Sequence, residues 1–197
     1  MDAVKTTLDY YQRNANVFVE GTLSADMHDA QKRFLNMLKP QAYILDFGCG
    51  SGRDAKAFLS RGYRVDAIDG SPELCRIASE LIGNPVKQML FDELSSINQY
   101  DGIWACASIL HIPKRELVDV LRKISDALKD SGVLYTSFRY GSFEGMRRGR
   151  YFIDLTEDTL RKLMEEVPSL QIIDTWITDD VRPGREERWL NTLARRV

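Results

Sequence analysis

The chain has little cysteine, three residues in 197, and only two histidines. Cys49, Cys75 and Cys106 lie far apart, form no Cys-x-x-Cys pair and have no histidine beside them, so no metal site is expected. Free thiols in a reducing cytoplasm are the simplest account of an odd, scattered set. There is no excess of charge either: 27 Lys and Arg against 29 Asp and Glu leave a net −2. That excludes nucleic-acid binding through the field of the whole molecule, though not through a local basic patch. No apolar run approaches the roughly 18 residues of a membrane span. The start, "MDAVKTTLDYYQ", lacks the basic-then-apolar pattern of a signal peptide. Repeats, low-complexity tracts and linkers are also missing, so a single domain over 1–197 is expected, acting as a monomer or homodimer.

What is present is an alternation of patterns. Val4, Leu8, Tyr11, Ala15 and Phe18 recur at helical steps, as do Met27, Ala30, Phe34 and Leu38 before Pro40. Two helices over 1–40 follow, with His28 solvated. From 41 to 138 the expected order is strand 42–47, helix 53–60, strand 63–69, helix from Pro72 to Gly83 capped by Ser71, strand 86–90, strand 100–107, helix after Pro113, strand 132–138. This implies an α/β fold, a mostly parallel sheet with helices on both faces. Over 139–197 come a loop rich in Gly and Arg, a helix capped by Thr156, and strands 170–178 and 188–196. Only a short connection joins the last two strands, so they should pair antiparallel.

"ILDFGCGSGRD" places Gly48, Gly50 and Gly52 between a strand and a helix N-terminus, a ligand site at the carboxyl end of a parallel sheet. The loop has no GK[ST] ending, so it is a poor phosphate loop. Arg53 stands where a dinucleotide fingerprint has its third glycine, which weakens that reading. A G-x-G-x-G loop suits S-adenosylmethionine (SAM), whose ammonium and sulfonium favour a carboxylate such as Asp46 nearby. Asp69 ends the second strand, 17 residues after Gly52, where a carboxylate can accept both hydroxyls of an adenosine ribose. Asp92, in "LFDEL", is placed to meet an adenine amino group.

"ILDFGCGSGRD", "VDAIDGSPELCRIA" and "YDGIWACASILHIP" together resemble ordered motifs of the class I SAM-dependent methyltransferases. The small, single-domain kind, similar to tellurite-resistance-like enzymes, is the nearest in flavour. The resemblance implies a Rossmann-like seven-stranded sheet with an antiparallel last strand. It implies methyl transfer from SAM, leaving S-adenosylhomocysteine (SAH). By the same resemblance Asp46, Gly48, Cys49, Gly50 and Gly52 cradle the methionine part and Arg53 reaches its carboxylate. Asp69, Gly70 and Ser71 meet ribose, and Phe91 and Asp92 meet adenine. Cys106 and Ala107 lie under the sulfonium. Tyr11 and Asn14, in "YYQRNANVF", belong to a helix closing over the cofactor.

His111, after the fourth strand, is a candidate general base or substrate contact. Arg139, Tyr140, Arg147 and Arg150 belong to the Gly- and Arg-rich segment on the acceptor side, where guanidiniums suit a carboxylate or phosphate. A solvated loop paired with local acids is the competing account of that segment. No [DNS]-PP-[YF] element and no inserted recognition domain are present, so a small-molecule acceptor is expected. A tRNA wobble base, a protein side chain and a non-catalytic SAM-binding module stand as alternatives.

Overall fold

The computed structural model describes residues 3–197. Seven strands form one sheet in the order β3-β2-β1-β4-β5-β9-β8. They are β1 (Tyr43–Phe47), β2 (Arg64–Asp69), β3 (Lys87–Gln88), β4 (Tyr100–Ala105), β5 (Leu128–Arg139), β8 (Leu170–Asp179) and β9 (Arg188–Arg196). β1 to β5 pair parallel, whereas β9 runs antiparallel to both β5 and β8. β8 therefore points the same way as the parallel core.

Side chains alternate across the central strands, and both faces are apolar because both are covered. On one face Ile44 and Trp104 pack with Phe34 of α2 (His28–Leu35) and Phe58 of α3 (Arg53–Ser60). On the other, Leu45, Phe47, Ile103 and Ala105 join Leu117, Leu121 and Ile124 of α5 (Lys114–Ala127) and Leu160 and Leu163 of α6 (Glu157–Glu165). Trp104 is fully buried and stacks on Tyr135 at 3.8 Å between ring centroids.

α4 (Pro72–Ile82) starts where expected: the Ser71 hydroxyl accepts from Leu74 N at 3.3 Å, and Gly83 ends the helix in the left-handed conformation. The Thr156 hydroxyl likewise caps α6. The third strand is shorter than expected, two residues, because the chain turns at once into a 3₁₀ turn at Phe91–Glu93.

The segment expected to be a loop is a second, two-stranded sheet, β6 (Glu144–Arg147) and β7 (Arg150–Ile153). Its turn residues Arg148 and Gly149 both have positive φ, 50° and 80°, the backbone that a two-residue hairpin needs. The Tyr151 amide donates to the Thr7 hydroxyl at 2.9 Å, tying this hairpin to α1 (Ala3–Thr22). α1 kinks at Asn14, whose φ/ψ of −116°/18° is not helical.

Candidate active site

The carboxyl ends of β1, β2 and β4 open into one cavity of about 2050 Å³, walled on the other side by α1, the β6–β7 hairpin and the β8–β9 loop. A pocket for one small molecule measures roughly 300–1,000 Å³, so this one has room for two ligands side by side. Its acidic and basic residues fall on different elements.

The acidic side is built on the glycine loop. Gly48, Gly50 and Gly52 all have positive φ, 83°, 55° and 78°. The amides of Gly48 and Cys49 both donate to Ile68 O, pinning the loop to β2. A Cβ on Gly48 would lie 2.6 Å from the Ser108 Cβ, and one on Gly50 would lie 3.0 Å from the Phe18 ring of α1. Gly52 differs: a Cβ there would meet Ala78 at 3.0 Å, so its smallness serves the approach of α3 to α4. Asp69 holds the loop from below. One carboxylate oxygen accepts from Gly50 N and the other from Ser71 N, both at 2.9 Å. Burial raises its pKa and those amide bonds oppose the rise. Each oxygen keeps a lone pair for a further donor. Phe91 lies against Phe47, and Asp92 stands exposed at the rim. Glu93, not Asp92, accepts from the Leu90 amide.

Asp46 is buried beneath the loop and accepts from Ala55 N at 3.0 Å. Burial, then the neighbouring Asp54, pushes its pKa well up. Its role here is to fix the start of α3. Arg53 sends Nε and one terminal nitrogen to Asp54, and its other terminal nitrogen to Thr22 O. The same Asp54 carboxylate accepts from Gln31 Nε2 at 2.7 Å and Trp104 Nε1 at 2.9 Å. Asp54 is thus the hub that orients Arg53 in the cavity wall. Sequence reasoning missed it, because an acid in a first helical turn reads as an ordinary complement to the helix dipole.

β4 ends at Ala105, and Ala107 adopts φ +49°, a left-handed conformation that costs a residue with a Cβ about 1–2 kcal/mol. Its amide donates to the Ser137 hydroxyl at 2.9 Å. The strained turn brings Cys106, Ala107 and Ser108 to the cavity wall. Burial pushes the Cys106 thiol up to about 12 and raises Cys49 as well, so neither is a thiolate at neutral pH.

The basic side begins at His111. Its Nδ1 lies 2.6 Å from Tyr151 O, an acceptor only, so Nδ1 carries the proton. Nε2 then accepts from the Tyr11 hydroxyl at 2.8 Å, and that hydroxyl receives a bond from Arg150 at 3.2 Å. Arg150, Tyr11, His111 and Tyr151 O thus form one chain of donors. Burial, with Arg150 and Arg139 nearby, depresses the His111 pKa to about 3. A neutral imidazole with its lone pair occupied is a poor general base in this arrangement. Arg150 lies over Tyr10 at 4.5 Å and Phe152 at 5.1 Å, and Arg139 over Phe152 at 4.9 Å.

Most of the expected site residues meet in this cavity: Tyr11, Asp46, Gly48, Cys49, Gly50, Arg53, Asp69, Gly70, Phe91, Asp92, Cys106, Ala107, His111, Arg139 and Arg150 all line it. Five do not. Asn14 donates to Tyr10 O within its own helix and marks the kink. Ser71 caps α4, and Gly52 sits between helices. Arg147 turns to Asp154 at 2.7 Å, and Tyr140 packs under Arg188. Arg182 and Arg185 do line the cavity, because β8 runs parallel to the core and delivers the β8–β9 loop to the same end. Among the described residues no group of acids, histidines and cysteines could hold a metal.

A parallel sheet with one reversed strand near its edge, a glycine cradle after β1 and an acid ending β2 define a nucleoside-binding class of α/β protein. Residues 44–132 match the methyltransferase domain family. That stretch, which carries the glycine cradle and Asp69, is similar to the methyltransferase domains of SAM-dependent enzymes. The chain is similar to an uncharacterized methyltransferase of Staphylococcus carnosus, 24% identical over 161 residues, 77% of this chain and 78% of that one. Its fold matches the crystal structure of Burkholderia thailandensis 1,6-didemethyltoxoflavin-N1-methyltransferase with a TM-score of 0.78 at 23% identity, covering 96% of this chain and 85% of the other. It also matches a TehB-like SAM-dependent methyltransferase from Corynebacterium glutamicum, with a TM-score of 0.69 at 21% identity, covering 96% and 97%.

Proposed function

We propose that the protein methylates a small-molecule acceptor, with the cofactor along the acidic side of the cavity and the acceptor along the basic side. The observation that carries this reading is Asp69: it braces the glycine cradle with one oxygen and the turn into α4 with the other, and each keeps a lone pair. Those lone pairs suit two ribose hydroxyls. The residues fit the cofactor in other respects. A Cβ at Gly48 or Gly50 would fill the cradle. Four Arg53 donors are engaged by Asp54, Thr22 and the Cys106 sulfur, which leaves one of its five N–H groups for the methionine carboxylate. Asp92, with no partner at the rim, takes the adenine amino group beside Phe91.

The cofactor supplies an electrophilic methyl group on a sulfonium, and the chain supplies position and a dry wall. His111 holds the Tyr11 hydroxyl, and through it Arg150, in place; it is a positioning residue and leaves proton removal to the acceptor's own chemistry. The size of the cavity and the toxoflavin-type substrate of the Burkholderia neighbour favour a small acceptor over RNA or protein. Three free cysteines agree with a reducing cytoplasm, and no helix among the described residues is long and apolar enough to cross a membrane.

The test is incubation with methyl-labelled SAM and three separate acceptor pools: a small-molecule extract, tRNA and denatured protein. Label should enter the small-molecule pool. Label in tRNA or protein alone would reject the acceptor assignment and keep the cofactor assignment.

A further inference from the structure

Of two guanidiniums on the basic side, one has no carboxylate partner among the described residues and the other has a single contact to one. Among the described residues no carboxylate lies within 4 Å of Arg150; its one hydrogen bond goes to the Tyr11 oxygen, and its Nε is buried with no partner. Arg139 is 15% exposed, pairs with Glu187 at 3.2 Å through one terminal nitrogen, and also has a buried Nε with no partner. Arg148 adds a third cation at the rim. The acids nearby are engaged elsewhere: Asp154 by Arg147, Glu144 by Tyr151, Asp180 by Arg182 and Trp189. His111, between the two arginines, adds no negative charge. A buried cation is costly unless an anion meets it. The cofactor's carboxylate has Arg53 on the opposite side, so it does not satisfy this pair.

The surroundings limit the shape of what does. Arg139 and Arg150 both lie within about 5 Å of the Phe152 ring centroid, Arg150 also lies over Tyr10, and Arg139 lies 5.8 Å from the Trp189 ring centroid. A guanidinium over an aromatic ring is attracted by the ring's π face and still has N–H groups to offer a ligand. The rings themselves offer a planar apolar wall.

Resting on the assignment of this side of the cavity to the acceptor, we infer that the acceptor is an aromatic oxyanion, a carboxylate or a phosphate, whose charge lies between Arg139 and Arg150. The guanidinium fork matches both anions.

Protein saturated with SAH is titrated calorimetrically with benzoate and phenyl phosphate, and with benzamide and phenol as neutral counterparts. At least one anion should bind tenfold or more tightly than its counterpart, and which one it is separates the carboxylate from the phosphate. Arg150→Gln and Arg139→Gln should each remove that preference, and Arg150→Lys should keep part of it, while SAH affinity stays within about twofold as proof of an intact fold. Anions that bind no better than their counterparts, or not at all, to protein that binds SAH overturn the inference. So does a preference that survives Arg150→Gln. Failure to bind SAH would instead sink the reading of the cavity on which the inference rests.

Discussion

The two sides of the cavity are built in opposite ways. The acidic side is made of consecutive chain: β1, the glycine loop, the end of β2 and the turn after β3, all within residues 43–93. Its groups are backbone amides and carboxylates already bonded to one another, such as Asp69 with Gly50 and Ser71. The basic side is assembled from α1, the turn after β4, the β6–β7 hairpin and the β8–β9 loop, segments spread along the chain from Ala3 to Arg188. Its polar groups are side chains, and Ser108, Arg139 and Arg150 each have a buried atom with no hydrogen-bond partner among the described residues. A shared cofactor calls for a rigid, backbone-written site, whereas an acceptor site can be rebuilt from loops on the same scaffold.

If the comparison is right, variants on the acidic side should act on cofactor binding and those on the basic side on acceptor binding alone. The largest effect is expected from Asp69→Ala. It removes acceptors for two ribose hydroxyls, each bond to a charged group being worth about 1.5 kcal/mol or more, so SAH affinity should fall about a hundredfold by calorimetry. Unchanged affinity would detach Asp69 from the cofactor. Gly48→Ala forces a Cβ onto Ser108 at positive φ and should cost about 2 kcal/mol in urea unfolding, with weakened SAH binding.

His111 sharpens the contrast through pH. Its folded-state pKa of about 3 lies below the unperturbed 6.5, so the neutral ring's contribution to stability is complete above about pH 6.5 and is lost as pH falls toward 3. Between pH 7 and pH 4.5 wild type should lose about 2.5 kcal/mol more than His111→Gln, at 1.36 kcal/mol per pH unit below the free pKa. A ¹⁵N spectrum showing a charged ring at pH 5.5 would contradict the buried, neutral assignment. Arg150→Gln should raise the acceptor KM about tenfold and leave SAH affinity alone, on the scale of one charge-assisted hydrogen bond; equal losses on both would erase the division. Arg147→Gln, aimed at Asp154 outside the cavity, should cost about 1 kcal/mol of stability and leave kinetics unchanged. A kinetic defect there would extend the basic side beyond the cavity walls.

Legibility in the sequence follows the same division. The Ser71 and Thr156 caps, the helix at 53–60 and the alternation of strands and helices rest on short-range rules, and the structure agrees with them. The place of the glycine loop, Asp69 and Asp92 in the cavity wall was readable for the same reason, since it is set by the strand ends that carry them. The β6–β7 hairpin was hidden because "EGMRRGRYFI" has charge where an alternating strand would show apolar residues. The Arg148–Gly149 pair was the signal that could have found it. Gly52 was readable as a glycine but not as a spacer for Ala78, a partner 26 residues away. Asp54, bonded to Trp104 50 residues on, and the Tyr11–His111 bond across 100 residues leave no local trace at all. Arg182 and Arg185 needed the direction of β8 before they could be placed.

The central claim is that the cradle between β1 and α3 holds an adenosyl sulfonium compound and not a dinucleotide. Calorimetric titration of the purified protein with SAH, with NAD as the control, tests it most directly. Micromolar SAH binding that Asp69→Ala weakens about a hundredfold, with no heat from NAD, is the expected result. Binding of NAD at comparable strength, or SAH binding indifferent to Asp69, would contradict it.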